Sequence, residues 1–272
     1  MRVTALHVYP VKSLRGHAVP AAVVDDLGFA GDRRFMLIDG DGKFLTQRTN
    51  PRMALVNAAL TPDGLVVSAD GGGTFTVDRA PDPDAPLRPV TVWKSPELLA
   101  EDCGDAPAAW LGAFLGQPCR LVRIGPKFAR PIQKAAARPD DRFTFADGCP
   151  FLVISEASLA QLNDRIVENH GEPVPMDRFR PSIVVTGCAA FAEDTWARFR
   201  IGDVVFRSAG RSDRCIITTT DQLTGVRGKE PLRTLATFRR GEGDSTSVYF
   251  GVNLINETKQ GTVRVGDEVV PL

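Results

Sequence analysis

The feature that most constrains this chain is a series of short, strand-length apolar runs separated by tight-turn residues. Arg34–Ile38 and Lys43–Thr46 flank Asp39-Gly40-Asp41-Gly42, and Met53–Leu60 and Leu65–Ser68 flank Thr61-Pro62-Asp63-Gly64. Each arrangement predicts a hairpin, because Asp and Gly enter turn conformations that branched side chains resist. A further strand is expected at Thr74–Asp78, beyond Gly71-Gly72-Gly73. Pro81, Pro83, Pro86 and Pro89 cannot donate to a ladder, so the stretch before Val90–Trp93 reads as a loop or edge segment. The first ninety or so residues are therefore mostly β. Helical spacing enters only later. One helix is expected over Ala106–Leu115, with Asp105 available to cap it, Gly116 at its exit, and Trp110, Leu111, Phe114 and Leu115 as its apolar stripe. A second is expected from Glu156 to about His170, capped by Ser155, ended by Gly171, and apolar along Leu159, Leu162 and Ile166. Strand-like runs return at Ile183–Thr186, Arg198–Ile201, Val204–Arg207, Cys215–Thr220 and Thr262–Val265, with Gly202-Asp203 and Gly266-Asp267 as turns. The expected class is mixed α/β.

At 272 residues the chain suits one large domain or two subdomains sharing an interface. Lys plus Arg equals Asp plus Glu at 33 each, so no global basic field draws the protein onto nucleic acid, and any anion site must be local. No apolar stretch approaches membrane-spanning length, and the N-terminus lacks the apolar core of a secretory signal, so the expectation is a cytoplasmic protein with no membrane association. Cys103, Cys119, Cys149, Cys188 and Cys215 contain no C-x-x-C pair, which argues against a zinc knuckle, a local iron-sulfur loop or a disulfide framework. Three histidines without an H-E-x-x-H pair leave little for a histidine-centred site. The absence of a P-loop and of a strand-following G-x-G-x-x-G removes support for the ordinary nucleotide readings. Chemistry must then draw on Cys, Arg, Lys and Asp.

Two signals carry it. In Gly210-Arg211-Ser212-Asp213-Arg214-Cys215, a thiol stands beside one arginine and near another. Guanidinium charge stabilises a thiolate, which is both a nucleophile and a soft metal ligand; the other reading of Cys215 is a buried structural cysteine. The second signal is a set of local basic pairs: Lys12 with Arg15, Arg33 with Arg34, Arg48 with Arg52, Arg178 with Arg180, and Arg211 with Arg214. Arginine forks bind phosphate bidentately, so loops that converge would make an anion site; taken singly, each pair reads as a solvated patch.

Several motifs, in order, resemble the MOSC domain family, in particular its amidoxime-reducing mitochondrial members and their bacterial relatives. They are Tyr9-Pro10-Val11-Lys12-Ser13, Asp32-Arg33-Arg34-Phe35, Pro150-Phe151-Leu152-Val153-Ile154-Ser155-Glu156-Ala157-Ser158-Leu159, Phe179-Arg180-Pro181, Ala192-Glu193-Asp194-Thr195-Trp196, Ile201-Gly202-Asp203 and Arg214-Cys215-Ile216-Ile217-Thr218-Thr219. The resemblance spans nearly the whole chain. It implies an N-terminal β-rich MOSC subdomain over residues 1–95, then a helical connection and a C-terminal MOSC β-barrel-like domain with peripheral helices over 96–272. It further implies a molybdenum-molybdopterin cofactor held between them, with Cys215 ligating the metal. Pterin and phosphate contacts would fall on Lys12, Ser13, Arg34, Arg180, Ser182, Asp213 and Arg214, with loop contacts from Gly148 and Cys149. Asp213 would also position a proton donor or the substrate nitrogen.

The function so implied is reduction of small N-hydroxylated or N-oxygenated compounds. Electrons would come from a separate donor of the ferredoxin, flavoprotein reductase or cytochrome b5 type, since no cysteine follows Cys215 to build a fused iron-sulfur domain. Two other functions share the motif: a non-catalytic carrier of the cofactor, and a cysteine-dependent sulfur-transfer protein. The chain departs from the family pattern at Ser182, where asparagine is frequent, and at Ser212 and Asp213, where small residues or cysteine precede Arg-Cys.

Overall fold

In a computed structural model the described residues are 1–241 and 244–272. The chain forms a mixed α/β fold built mostly of strands with three α-helices among the described residues. The largest sheet runs, in spatial order, Val269–Pro271, Arg198–Ile201, Val204–Asp213, Asp244–Asn256, Phe151–Ser155, Ile183–Thr186, Arg2–Val8 and His17–Val19, with Arg240–Gly241 paired to Asp244–Asn256 off this path. The chain's first strand thus lies inside the sheet made by the last third of the sequence: Arg2–Val8 pairs antiparallel with Ile183–Thr186. A four-stranded sheet orders Phe35–Ile38, Arg120–Ile124, Ser95–Asp102 and Leu87–Val92. The point between residues 95 and 96 falls at the start of Ser95–Asp102, which pairs antiparallel with Leu87–Val92. Two three-stranded sheets complete the frame.

The hairpins form where turn chemistry placed them. Asn57–Thr61 and Gly64–Ala69 pair in register, with Thr61 opposite Gly64, and Gly73–Val77 adds a third strand. Gly64 holds φ at 147°, and a Cβ there would sit 2.4 Å from the Val77 carbonyl oxygen, so only glycine closes this turn. Around Asp39-Gly40-Asp41-Gly42, the Asp39 N–H donates to the Lys43 carbonyl at 2.9 Å and Leu45 donates to Leu37 at 2.8 Å. The strand expected from Met53 begins only at Asn57. Pro51–Leu55 is a 3-10 turn, for which the fixed φ of Pro51 at the first position is suited.

Helix α1 spans Asp105–Leu115 and exits through Gly116 at φ 72°, as expected. Its cap is Gly104 rather than Asp105; Asp105 sits in the first turn, where a carboxylate meets the positive end of the helix and ion-pairs with Arg120 at 2.8 Å. Helix α2, Glu156–Glu168, is capped by the Ser155 hydroxyl, which accepts from the Ser158 N–H at 3.0 Å. The Ser158 hydroxyl in turn donates to the buried Glu193 carboxylate at 2.6 Å. Helix α3, Leu232–Phe238, packs its Leu235 with Leu162 and Ile166 of α2 over the sheet. Beneath the large sheet, Phe29, Phe151, Phe206 and Phe199 form a chain of rings with centroids 4.8 to 5.7 Å apart.

One expected strand is replaced. Cys215–Thr220 is a 3-10 turn over Ile216–Thr219, with Cys215 as its extended N-cap. The β-branched run turns because its hydroxyls offer the backbone local partners: Thr218 Oγ donates to the Cys215 carbonyl at 3.0 Å and Thr219 Oγ to that of Ile216 at 2.8 Å.

Candidate active site

An open cleft enclosing about 820 Å3, solvent at its mouth included, lies where the large sheet meets the loops of the N-terminal half. Lys12, Ser13, Gly148, Cys149, Arg180, Ser182, Asp213, Arg214 and Cys215 all line it. Arg34 does not. Its guanidinium ion-pairs with Asp25 at 2.6 Å, and the cleft receives the neighbouring Arg33 instead. Arg33 and Arg34 precede the strand Phe35–Ile38, and the left-handed backbone of Arg33, φ 46°, turns the chain between them. Arg48, Asp147 and Asn253 line the cleft as well and stood out in none of the motifs as site residues. Arg33 and Arg48 were visible only as members of basic pairs, and Asp147 carried no signal in the sequence.

The loop that carries Lys12 and Ser13 is fixed at both ends. Asp32 accepts from the Tyr9 N–H at 2.8 Å, Arg33 N–H donates to the Tyr9 carbonyl at 2.8 Å, and Lys12 N–H donates to the Phe35 carbonyl at 2.8 Å. Ser13, Arg33 and Arg180 all adopt positive φ, at 64°, 46° and 55°. Such conformations are unfavourable for residues with a Cβ, and they persist where surrounding structure enforces them for function. On the opposite wall, Val204–Asp213 is bulged against Asp244–Asn256, with register breaks between Ser208 and Arg211 and between Arg211 and Asp213. Bulges re-aim side chains. Here they end the strand with Asp213 accepting from the Val248 N–H at 3.1 Å and Arg214 donating to the Val248 carbonyl at 2.7 Å, which delivers Cys215 to the cleft, partly exposed.

Charge is unbalanced in this space. Five cations, Lys12, Arg33, Arg48, Arg180 and Arg214, face two carboxylates, Asp147 and Asp213. Asp147 takes Lys12 and, at 3.1 Å each, Arg48 Nη2 and the Trp93 indole N–H. Burial would push its pKa up, yet Lys12 and Arg48 hold it well below the usual carboxylate range. Lys12, 3% exposed, also donates to the Phe145 carbonyl at 2.8 Å, and burial brings its pKa down to about 8 against the opposing pull of Asp147. Burial lowers Arg180 and Arg214 to about 10 each. Neither has an ion pair among the described residues, and Arg214 Nε is buried without a partner. Arg180 and Arg33 each lie 4.3 Å from the centroid of the Tyr9 ring; Arg33 also ion-pairs with Asp32 at 2.5 Å, whereas the ring face steadies Arg180 without neutralising it. Burial would lower the Arg48 pKa, but the charge of Asp147 and the nearby Cys215 keep it raised. By contrast, burial pushes the Cys149 thiol up to about 12, so it contributes a neutral wall rather than a thiolate.

These residues fit a molybdenum-pterin cofactor on two physical grounds. Unpaired buried guanidinium charge is stabilised by a polyanion such as the pterin phosphate. No group of three or more His, Cys, Asp or Glu side chains is placed to hold a metal among the described residues, so a metal at Cys215 must bring its remaining ligands with it, as a pterin dithiolate does.

The fold and the cleft define a MOSC protein. The MOSC N-terminal beta barrel domain matches residues 1–118 and the MOSC domain matches residues 140–270, and the chain belongs to this family. It is similar to mitochondrial amidoxime-reducing component 1 of Homo sapiens, 37% identical over 288 residues that cover 98% of this chain and 82% of that protein. The Mus musculus component 1 is 35% identical over 98% of this chain and 81% of its own, and the Bos taurus component 2 is 36% identical over 98% and 82%. No described helix is long and apolar enough to cross a membrane.

Proposed function

We propose that this chain is a molybdenum-cofactor-dependent reductase of small N-hydroxylated or N-oxygenated compounds. The observation that carries the proposal is the convergence, from five separate segments, of five cations on one cleft with a partly exposed cysteine, two of them, Arg180 and Arg214, buried without an ion pair among the described residues. The relatives are named for amidoxime reduction, which supports the same reaction class here. In this reading Cys215 holds the metal, Arg180, Arg214, Arg33 and Lys12 hold the pterin and its phosphate, and Ser13, Ser182, Gly148 and Cys149 shape the walls.

When bound, the cofactor would supply two-electron oxygen removal from nitrogen, with the electrons arriving from a separate redox protein. The chain's own residues do the rest. Arg48 lines the cleft together with Cys215 and adds positive charge to the wall that would face the metal. Asp147 fixes Arg48 and Lys12 together, so that neither swings away when substrate enters. One oxygen of Asp213 is engaged by the Val248 N–H, which leaves the other to orient the substrate nitrogen.

Protein purified from a host that makes molybdopterin, given a reduced viologen dye, is expected to convert an amidoxime to its amidine. Cys215→Ser is expected to retain the fold by circular dichroism and to lose turnover by more than about a hundredfold, with loss of bound molybdenum. Wild-type protein that carries pterin but gives no turnover would instead be a cofactor carrier. Protein that carries neither metal nor pterin while Cys215 accumulates persulfide would be a sulfur-transfer protein.

A further inference from the structure

Beside the cleft, Trp93 occupies the turn between Leu87–Val92 and Ser95–Asp102 with φ at 55°. A bulky aromatic in the left-handed region is unfavourable, and a flexible turn would ordinarily place glycine or asparagine there. The ring is held in place from three sides. Its N–H donates to Asp147 Oδ1 at 3.1 Å, the Arg48 guanidinium lies 4.6 Å from its centroid, and the Phe44 ring lies 4.9 Å away at 59°. Phe44 in turn carries the Lys12 ammonium 4.8 Å from its centroid. With all these contacts made, Trp93 remains 45% exposed. The arginine that packs on this indole, Arg48, lines the cleft together with Cys215.

Scattered exposed apolar residues need no explanation, but this one is pinned, conformationally strained and joined to the charged wall of the cleft. Resting on the reductase reading of that cleft, we propose that Trp93, backed by Phe44, is a substrate subsite that stacks the conjugated plane of an aromatic N-oxygenated compound while its N–O group reaches toward Cys215. The exposed part of an indole attracts a flat π-system in offset or edge-on geometry and gives little to an aliphatic chain of similar length. The preferred substrates are then arylamidoximes and N-hydroxylated heteroaromatic rings over aliphatic amidoximes. Asp147 and Arg48 hold the indole so that the stacked ring has one orientation relative to the sulfur.

The test compares benzamidoxime with acetamidoxime on wild-type, Trp93→Phe and Trp93→Leu full-length protein. The ratio of kcat/KM for benzamidoxime to that for acetamidoxime is expected to fall about tenfold in Trp93→Leu, mainly through KM, and to be largely restored in Trp93→Phe, which keeps a ring but loses the N–H. If Phe and Leu lower both substrates alike, Trp93 acts by holding Asp147 and the subsite is refuted. Indole fluorescence gives a readout independent of turnover. Saturable quenching by benzamidoxime, absent with acetamidoxime and abolished in Trp93→Phe, supports stacking; no saturable quenching in the wild type overturns it. Should the wild type reduce neither compound, the reductase reading fails, while the quenching result still decides whether Trp93 binds a planar ligand.

Discussion

At the scale of single residues, the contrast between Arg33 and Arg34 shows how a site is chosen. They are adjacent and chemically identical, yet one faces the cleft and the other is paired with Asp25. Arg33→Ala and Arg180→Ala are each expected to lower pterin content in purified protein by about tenfold or more, because they remove charge from a desolvated anion site. Arg34→Ala is expected to leave pterin content close to that of the wild type. The measurement is the fluorescence of oxidised pterin per mole of protein, and equal losses in all three variants would remove the distinction. The sequence made the chemistry of this site legible through Cys215 and the basic pairs. It could not assign which arginine of a pair turns inward, because that depends on the turn conformation at Arg33 and on tertiary partners such as Asp25 and Asp32. Nor could it reveal Asp147, an unremarkable loop residue whose importance comes from meeting Lys12, Arg48 and Trp93 across the fold.

At the scale of elements, the helices and hairpins were readable because their signals are local. Ser155 caps α2 by its own hydroxyl, and the same hydroxyl bonds that of Ser158, which donates to the buried Glu193. Ser155→Ala is expected to destabilise the protein by about 1–2 kcal/mol, seen as a lower urea midpoint, because it removes a cap and leaves part of a buried network unsatisfied. A midpoint equal to the wild type would mean that water replaces the hydroxyl. The segment after Cys215 was misread for an equally physical reason. Its branched residues favour a strand by propensity, but threonine hydroxyls within reach of carbonyls three residues back favour a tight turn. Thr218→Val keeps the shape and removes one such bond. It is expected to lower stability by about 1 kcal/mol and to loosen the hold on Cys215, read as faster reaction of the thiol with an alkylating reagent in cofactor-free protein.

At the scale of the whole molecule, the loop that precedes Phe151–Ser155 is anchored to the large sheet by buried charge. Asp141, almost fully buried, receives Arg207 from the large sheet, Lys259 at 2.9 Å and the Arg138 N–H at 2.7 Å. Burial alone would raise its pKa, but the Arg138 N–H, Lys259 and Arg207 bring it below the ordinary carboxylate value. For a carboxylate lowered by folding, the stabilisation is fully present above the unfolded pKa of about 3.9 and is lost as pH falls through the lower folded value. Wild-type stability is therefore expected to decline as the solution is acidified below about pH 4. Asp141→Asn should flatten that part of the pH profile while lowering stability at neutral pH, because Arg207 and Lys259 lose their charged partner. An unchanged slope in a pH series of urea unfolding would show that other carboxylates dominate.

The placement of Arg2–Val8 beside Ile183–Thr186 also bears on how the protein is made. One edge of this strand can pair at once with His17–Val19, but the segment that flanks its other edge leaves the ribosome much later, so closure of the sheet comes late. The loop bearing Lys12 hangs from that strand, and Cys215 is synthesised later still. A nascent chain consequently has no completed pocket to fill, and the proposed cofactor would enter the finished polypeptide rather than the growing one.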